Sequence, residues 1–492
     1  MNQFSPWKIL LLAFAPVAAL FILGLAGCTM IPKYEQPASN ISTNWPSVPG
    51  YAKTETTPAA VPAADIGWHD FFRDQRLQQV IRIALTNNPN LLASVYNVQE
   101  SKSLYRVQQA NLVPTVDLGA SGQRTRTPNV YTGGTNTAPP LQYTEYNLNV
   151  AMTQYELDLF GRVRSLTRQA LETYMATDEA RRSAQIALVA QVGSAYISEQ
   201  EAAEQLTIAR EMLNAAQQTY DLTKRSFEAG ESSQFDLNSA SIQLQNSTAA
   251  VAGYAQQLAE ASDNLTLLAG GPLPPELQPS SPFNPDICAE VPAGLPSDLL
   301  QRRPDVAQAE HQLKAANANI GAARAAFFPT VTLTGQAGLA STTLQSLFAP
   351  GARAWNLSPQ IVWPIFDMGT AYHNLKADEA AKMIQAANYK STVQTAFKEV
   401  ADALAVRETV ESQLTQNQEL VKTDQQSYDL TKAGFQTGVN SALDMNVTLQ
   451  TLDSARLNLI QAQYSRLISL VNLYQALGGG WSEQTVEQTA KQ

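Results

Sequence analysis

A chain of 492 residues is long enough for more than one hydrophobic core. Its formal net charge of −10 argues against a nucleic-acid partner. Only 15 % of residues are charged, and Ala, Gln, Ser, Thr and Asn fill the polar positions, which suits helices packed on more than one side.

The first 27 residues read as a targeting segment. Lys8 is the sole charge before Cys28, and an apolar run from Ile9 to Leu25 leads to Leu25-Ala26-Gly27-Cys28. A basic start, an apolar middle and small residues at the cleavage point make a signal peptide. The ending resembles a bacterial lipoprotein box, which implies cleavage before Cys28 and diacylation of its sulfur. Thr29 in place of Asp then favours sorting to the outer membrane. The alternative is a plain signal anchor with an incidental cysteine. Cys288 is the one other cysteine, so no disulfide framework exists, and it reads as an inert thiol.

Residues 28–66 form a Pro-bearing extended strap without periodicity. Trp68 to Phe72 leads into a helix from Gln75 to Asn87. From there a duplication runs through most of the chain. Asn88-Pro89-Asn90 opens a helix to Val113 before Pro114, and Arg303-Pro304-Asp305 opens another to Phe328 before Pro329. Strands of period two follow each closing proline. Val116, Leu118 and Ala120 alternate with Asp117 and Ser121, and Tyr146, Leu148, Val150 and Met152 with Asn147 and Asn149. In the second half, Val331, Leu333 and Ala337 alternate with Thr332, Thr334 and Gln336, and Trp355, Leu357, Ile361 and Trp363 with Asn356, Ser358 and Gln360. Each suits a membrane strand of roughly 9–11 residues. Trp355, Trp363, Tyr143 and Tyr146 then suit aromatic girdles. Alternation alone fits a soluble sheet packed on helices equally well.

Arg162 to Ala229 has no proline and reads as one helix of about 100 Å. Leu206, Leu213, Tyr220 and Phe227 recur every seven residues, as do Leu414, Val421, Tyr428 and Phe435, which implies coiled-coil-like packing. Each stripe ends in a helix–turn–helix. Gln217–Ala240 aligns without a gap on Gln425–Thr448, 208 residues later. Gly230 and Gly438 supply left-handed helix ends. Ser233-x-x-Asp236 and Ser441-x-x-Asp444 open the next helices as capping boxes. The expected organisation is a first repeat over 67–271, a Pro-rich linker over 272–296, a second repeat over 297–480 and a disordered tail over 481–492.

If the strands enter a membrane, their unpaired edges cannot stay open, because only closed barrels satisfy the backbone in hydrocarbon. Single-chain bacterial barrels start at about eight strands. Four strands per chain therefore require oligomerisation, and a cyclic trimer gives about twelve. No nucleotide-binding loop, nucleophile elbow or zinc-type His-Glu-x-x-His occurs, and His69, His311 and His373 are isolated. Catalysis and a cofactor are not expected.

Several segments carry a resemblance: Leu25–Cys28, Gly67–Phe72, Glu156–Arg162, Leu300–Asp305, Ala315–Gly335, Phe397–Leu404 and Ala476–Trp481. Over essentially the whole mature chain they resemble the outer-membrane efflux factor family, TolC-like, in the lipoprotein branch that OprM and CusC typify. The resemblance implies an α+β membrane protein of duplicated halves. Long coiled-coil-like helices form a trimeric α-barrel, and four amphipathic strands per chain complete a 12-stranded trimeric β-barrel. It implies a lipid-anchored homotrimer in the bacterial outer membrane with a large periplasmic portion. A periplasmic membrane-fusion adaptor meets the turns Gly230, Glu231, Ser232, Ser233 and Gly438, Val439, Asn440, Ser441, and links them to an inner-membrane RND pump. Relatives place a constriction six or nine residues after the turn glycine. Asp444 lies at the sixth position beside Leu443, and Val447 takes the ninth, where some relatives carry Asp. A gate of Leu443, Asp444 and Asp236 is expected, although both aspartates also read as simple caps. The implied function is a passive exit duct for drugs or other small toxic solutes. A type I protein-secretion duct and a lipid-anchored periplasmic scaffold remain as alternatives.

Overall fold

The structure, a computed structural model, describes residues 29–38, 42, 45–46, 49, 62–127, 141–277, 283–292 and 302–485. The signal segment and Cys28 lie outside the described residues. The chain is α+β and its two halves match element by element. The first half runs α1 (Gln75–Asn87), α2 (Pro89–Ala110), β1 (Val116–Thr127), β2 (Leu141–Leu157), α3 (Arg162–Glu228) and α4 (Gln234–Ala269). The second runs α5 (Pro304–Ala325), β3 (Thr330–Ser341), β4 (Arg353–Val362), α6 (Thr370–Gln436) and α7 (Ala442–Ala476). The matching helices α3 and α6 are both 67 residues long, and α2 and α5 are both 22. Equal lengths at these positions mark a duplication of a whole half-protein.

Local chemistry sets the boundaries. Asp74 caps α1 by accepting from the N–H groups of Arg76 and Leu77. Pro89 and Pro304 each stand first in their helices, where a missing N–H costs nothing. The helices expected to reach Val113 and Phe328 stop at Ala110 and Ala325. The residue before a proline disfavours α geometry, so the chain leaves through tight turns instead. Val113 N–H donates to Ala110 at 3.1 Å, and Phe328 N–H donates to Ala325 at 3.1 Å.

The four strands form one antiparallel meander in the order β1-β2-β3-β4. β2 runs past its expected end at Met152 to Leu157, because a bulge between Met152 and Tyr155 absorbs one extra residue. Gln154 takes the positive φ of 50° that the bulge requires. The bulge returns Tyr155 and Leu157 to the face of Met152, a shift that strict alternation hides.

The chain divides into two compact units. One contains Gln99–Ala176, Glu310–Asn388 and the chain up to Pro37. It holds the sheet, and within it the strap is seated on α5. Asn317 donates to the Pro32 carbonyl at 2.8 Å, the Tyr34 hydroxyl donates to Glu310 at 3.2 Å, and Ile31 fills the space over Gly321. The other unit contains Ala38–Val98, Thr177–Ala309 and Tyr389–Gln492. Its core gathers Trp68, Phe71, Phe72, Leu77, Val80 and Ile81 with Tyr196, Tyr389 and Tyr474. Phe71 stacks on Tyr474 at 4.0 Å, and the Phe72 ring occupies the space a side chain at Gly193 would need. The inter-repeat linker joins this core through Phe283, Ile287, Cys288 and Val291, and Glu290 accepts from Arg407 at 2.7 Å and Arg466 at 3.1 Å. Burial pushes the Cys288 thiol up to about 12, as an inert thiol requires. The tail differs from expectation in its first residues: Trp481 Nε1 donates to the Ala64 carbonyl at 3.2 Å, and Thr485 N–H to Asp70 at 2.9 Å.

Candidate functional site

Cross-strand register sorts the sheet into two chemically distinct faces. One face carries the rows Val116–Met152–Gly335–Leu357 and Leu118–Val150–Ala337–Trp355. The other carries Asp117–Ala151–Gln336–Asn356 and Gly119–Asn149–Gly338–Ala354. The polar face is built from amides and hydroxyls. Asn149 donates to Gln336 across the strands at 3.0 Å. It fits because Gly119 and Gly338 flank it; a Cβ at Gly338 would fall 2.6 Å from the Asn149 Cα. The apolar face is bare. Leu118 is 77 % exposed and Trp355 80 % exposed. A soluble sheet packed on helices would bury these side chains, so the bare face marks a lipid-facing surface. Tyr146 and Trp355 lie on it as expected of girdle residues. Tyr143 pairs with Thr125 on the polar face and is corrected to that side.

The two turns are built alike. After α3, Gly230 takes φ +81°, its N–H donates to Phe227 at 2.9 Å, and Glu231 N–H donates to Ser226 at 2.8 Å. After α6, Gly438 takes φ +76°, its N–H donates to Phe435 at 3.1 Å, and Val439 N–H donates to Gly434 at 2.8 Å. Both patterns are Schellman ends, which satisfy the last helical carbonyls. Each capping box is complete. Asp236 N–H donates to the Ser233 hydroxyl at 3.1 Å, and the Ser233 N–H returns a bond to the Asp236 carboxylate at 3.0 Å. Asp444 N–H and Ser441 N–H repeat those distances. The Ser441 hydroxyl and then its N–H hold the Asp444 carboxyl below the usual carboxylate range. Asp444 is fully exposed and carries its charge at neutral pH. Leu443 beside it is exposed, as are Val439 on the turn and Val447 one turn further on.

Each aspartate thus serves its own turn. The two hairpins are joined further along, where Gln450 on α7 donates to Gln243 on α4 at 2.5 Å. Around that bond lies a polar seam that the heptad stripe concealed. Thr223, Ser247 and Asn446 are buried there with side-chain polar atoms unpaired among the described residues, and so is one Asp453 oxygen. Burial pushes the Asp453 carboxyl up to about 6. The signal lay in Thr, Ser, Asn and Asp at buried helix spacings beside the stripe. Among the described residues no group of His, Cys, Asp and Glu could hold a metal ion, and no helix is long and apolar enough to cross a membrane.

An amphipathic antiparallel sheet joined to duplicated coiled-coil hairpins defines the class of outer-membrane channel-forming proteins. The family model for outer membrane efflux protein matches residues 80–271 and 295–479, one segment per repeat. The chain belongs to that family. It is 44 % identical over 465 residues to the toluene efflux pump outer membrane protein TtgC of Pseudomonas putida, covering 94 % of this chain and 95 % of that one. It is 36 % identical to outer membrane protein OprJ of Pseudomonas aeruginosa, covering 96 % and 97 %. Among solved structures, the open state of the Neisseria gonorrhoeae MtrE outer membrane channel superposes with a TM-score of 0.83 at 35 % identity, covering 93 % of this chain and all of that one. CusC superposes at 0.80 with 33 % identity, covering 92 % and 100 %.

Proposed function

We propose that three copies of this chain form the outer-membrane exit duct of a tripartite RND-type efflux system for drugs or other small toxic solutes. The observation that carries this is the bare four-stranded sheet. It has one lipid-compatible face, one water-compatible face and two open edges, β1 and β4. Open edges are not viable in hydrocarbon, and joining β4 of one copy to β1 of the next removes them all. The amide and hydroxyl face then lines a water-filled lumen. The protein is a passive channel and not an enzyme, so transport energy enters through partners. The efflux-pump names of its relatives favour small solutes over secreted proteins, and the bare apolar face argues against a purely periplasmic scaffold.

In this reading the acylated Cys28 adds a lipid anchor, and acyl chains contribute about 0.8 kcal/mol per buried methylene. The turns Gly230–Ser233 and Gly438–Ser441 meet a periplasmic adaptor that carries the inner-membrane pump. Three Asp444 carboxylates, with Leu443 beside them and Asp236 on the neighbouring hairpin, form an acidic gate that favours cations. The cap and the gate coexist, because the cap uses one carboxylate oxygen. The deciding measurement is the protein mass of the detergent-purified complex by light scattering. A mass near three protomers is expected. A stable folded monomer would leave the sheet unable to close and would refute the duct.

A further inference from the structure

The charged residues of the sheet are sorted by face and by end. On the lumen-facing parity, Asp117, Glu145 and Glu156 are acidic, and no Lys or Arg occurs there. The bases Arg124, Arg126 and Arg353 all fall on the apolar parity. Arg124 pairs with Thr144, Arg126 with Gln142, and Arg353 with Leu339 in the row of Leu148 and Ala120. All three lie at the end of the sheet where β1 turns to β2 and β3 turns to β4, away from the helices. On each edge strand they sit one step beyond an aromatic row. Tyr146 closes the apolar rows next to Arg124, and Trp355 is the next residue after Arg353 on the same face of β4. All three arginines are exposed, and none has an acidic partner among the described residues. The connecting sequences Pro128–Pro140 and Thr342–Ala352 contain no Asp or Glu.

Arg124 and Arg126 are on β1 and Arg353 is on β4, the two opposite edges of the sheet. In the closed ring, which rests on the trimer reading above, β4 of one copy adjoins β1 of the next. Each junction then brings three guanidinium groups from two copies to the outer rim of the lipid-facing wall. An unpaired arginine on a lipid-facing wall is tolerated only at headgroup level, where an anion can meet it. Guanidinium forks match phosphate oxygens in bidentate pairs, and clustered bases beside a membrane span recruit anionic headgroups. We propose that each of the three junctions binds the phosphorylated headgroup of an outer-leaflet glycolipid through Arg124 and Arg126 of one protomer and Arg353 of its partner. The guanidinium groups stand in for the divalent cations that otherwise bridge such phosphates. They seal the seam between subunits against the leaflet it must cross.

The test is native mass spectrometry of the full-length protein in detergent, titrated with hexa-acyl diphosphoryl lipid A. Up to three lipids per trimer are expected. The Arg124→Gln/Arg126→Gln/Arg353→Gln variant should bind on the order of a hundredfold more weakly, since each base contributes about a fivefold factor near an anionic surface. The unmutated trimer should also prefer diphosphoryl to dephosphorylated lipid A, a comparison that needs no variant to fold. Equal affinity for those two lipids would overturn the site, and so would equal affinity of the variant. Equal retention of phosphatidylglycerol would overturn the glycolipid assignment. The protein mass is read in the same spectrum, so a monomer would identify failure of the trimer reading itself, and a trimer without phosphate preference would identify failure of the site alone.

Discussion

Glu201 sits on α3 with 9 % of its surface exposed, and its one hydrogen bond among the described residues comes from the Gln205 amide at 3.0 Å. Burial pushes its carboxyl from an ordinary 4.5 up to about 7. Burial, and after it the Glu201 charge, raises the Tyr254 hydroxyl on α4 and the Tyr464 hydroxyl on α7, so Glu201 faces the packing between hairpins. The folded chain therefore holds a proton that the unfolded chain releases. Stability from this site is fully present below the unfolded value, falls as pH rises through the window between the two, and is lost above about 7. The full effect is at most about 3 kcal/mol per chain, and nearer 1–2 kcal/mol once the site relaxes and admits water. Glu201→Gln removes the titration and still accepts from Gln205. The assay is thermal unfolding of the purified complex by circular dichroism at about pH 5 and pH 8. The wild type should melt a few degrees lower at the higher pH, and the variant should lose the Glu201 share of that difference while the Asp453 share remains. An unchanged pH dependence in Glu201→Gln would refute the burial argument.

Asp444→Ala should raise single-channel conductance in planar bilayers, and Asp236→Ala should do so less; unchanged conductance would remove Asp444 from the gate. At Gly438 a Cβ meets nothing within 4 Å, so Gly438→Ala tests the backbone alone. It should cost about 1–2 kcal/mol through its left-handed φ, seen as faster hydrogen exchange at the turn, with Gly438→Asn recovering part of the loss. At Gly193 a Cβ would lie 2.6 Å from the Phe72 ring, so Gly193→Leu should cost about 1–3 kcal/mol or more and lower the melting temperature of the complex. Cys28→Ser should remove the acyl mass from the intact protein; an unchanged mass would show that Cys28 is not acylated.

Much of this fold was legible because its signals are local. The α1 boundaries follow from Asp74 and Pro89, and the capping boxes at Ser233 and Ser441 follow from four-residue patterns. The duplication prints each of these signals twice, 208 residues apart at the turns. What escaped was decided by long-range contact. Nothing in the sequence of β2 marks Gln154 as a bulge, since the need for it comes from pairing with β3. Residue type places Tyr143 in a girdle, but its face is set by register with Thr125. The first tail residues read as disordered by polarity, yet Trp481 and Thr485 bond to groups more than four hundred positions away. Choosing a membrane over a soluble sheet needed the exposure of Leu118 and Trp355, which alternation cannot supply.

The duplicated turns separate what a tip must keep from what it can vary. Both copies keep the left-handed glycine, the Schellman bonds and the Ser–Asp box, all of which satisfy backbone groups that would otherwise be unpaired. Under each turn one pair of positions has exchanged its chemistry together. In the first copy Ser232 donates to Ser226 at 2.8 Å. In the second, Asn440 replaces the first serine and Gly434 the other, and the Asn440 amide lies 2.7 Å from where a Gly434 Cβ would be. A larger side chain thus enters only where its partner has given up its own, so the turn keeps its path with either pair. The exposed positions changed freely: Glu231 became Val439, and Phe235 became Leu443. Conformation is therefore fixed twice by the same bonds, while the outward surface differs between tips. In the proposed trimer the six tips are of two alternating kinds, so a partner packing around the ring would meet two distinct surfaces rather than one sixfold repeat.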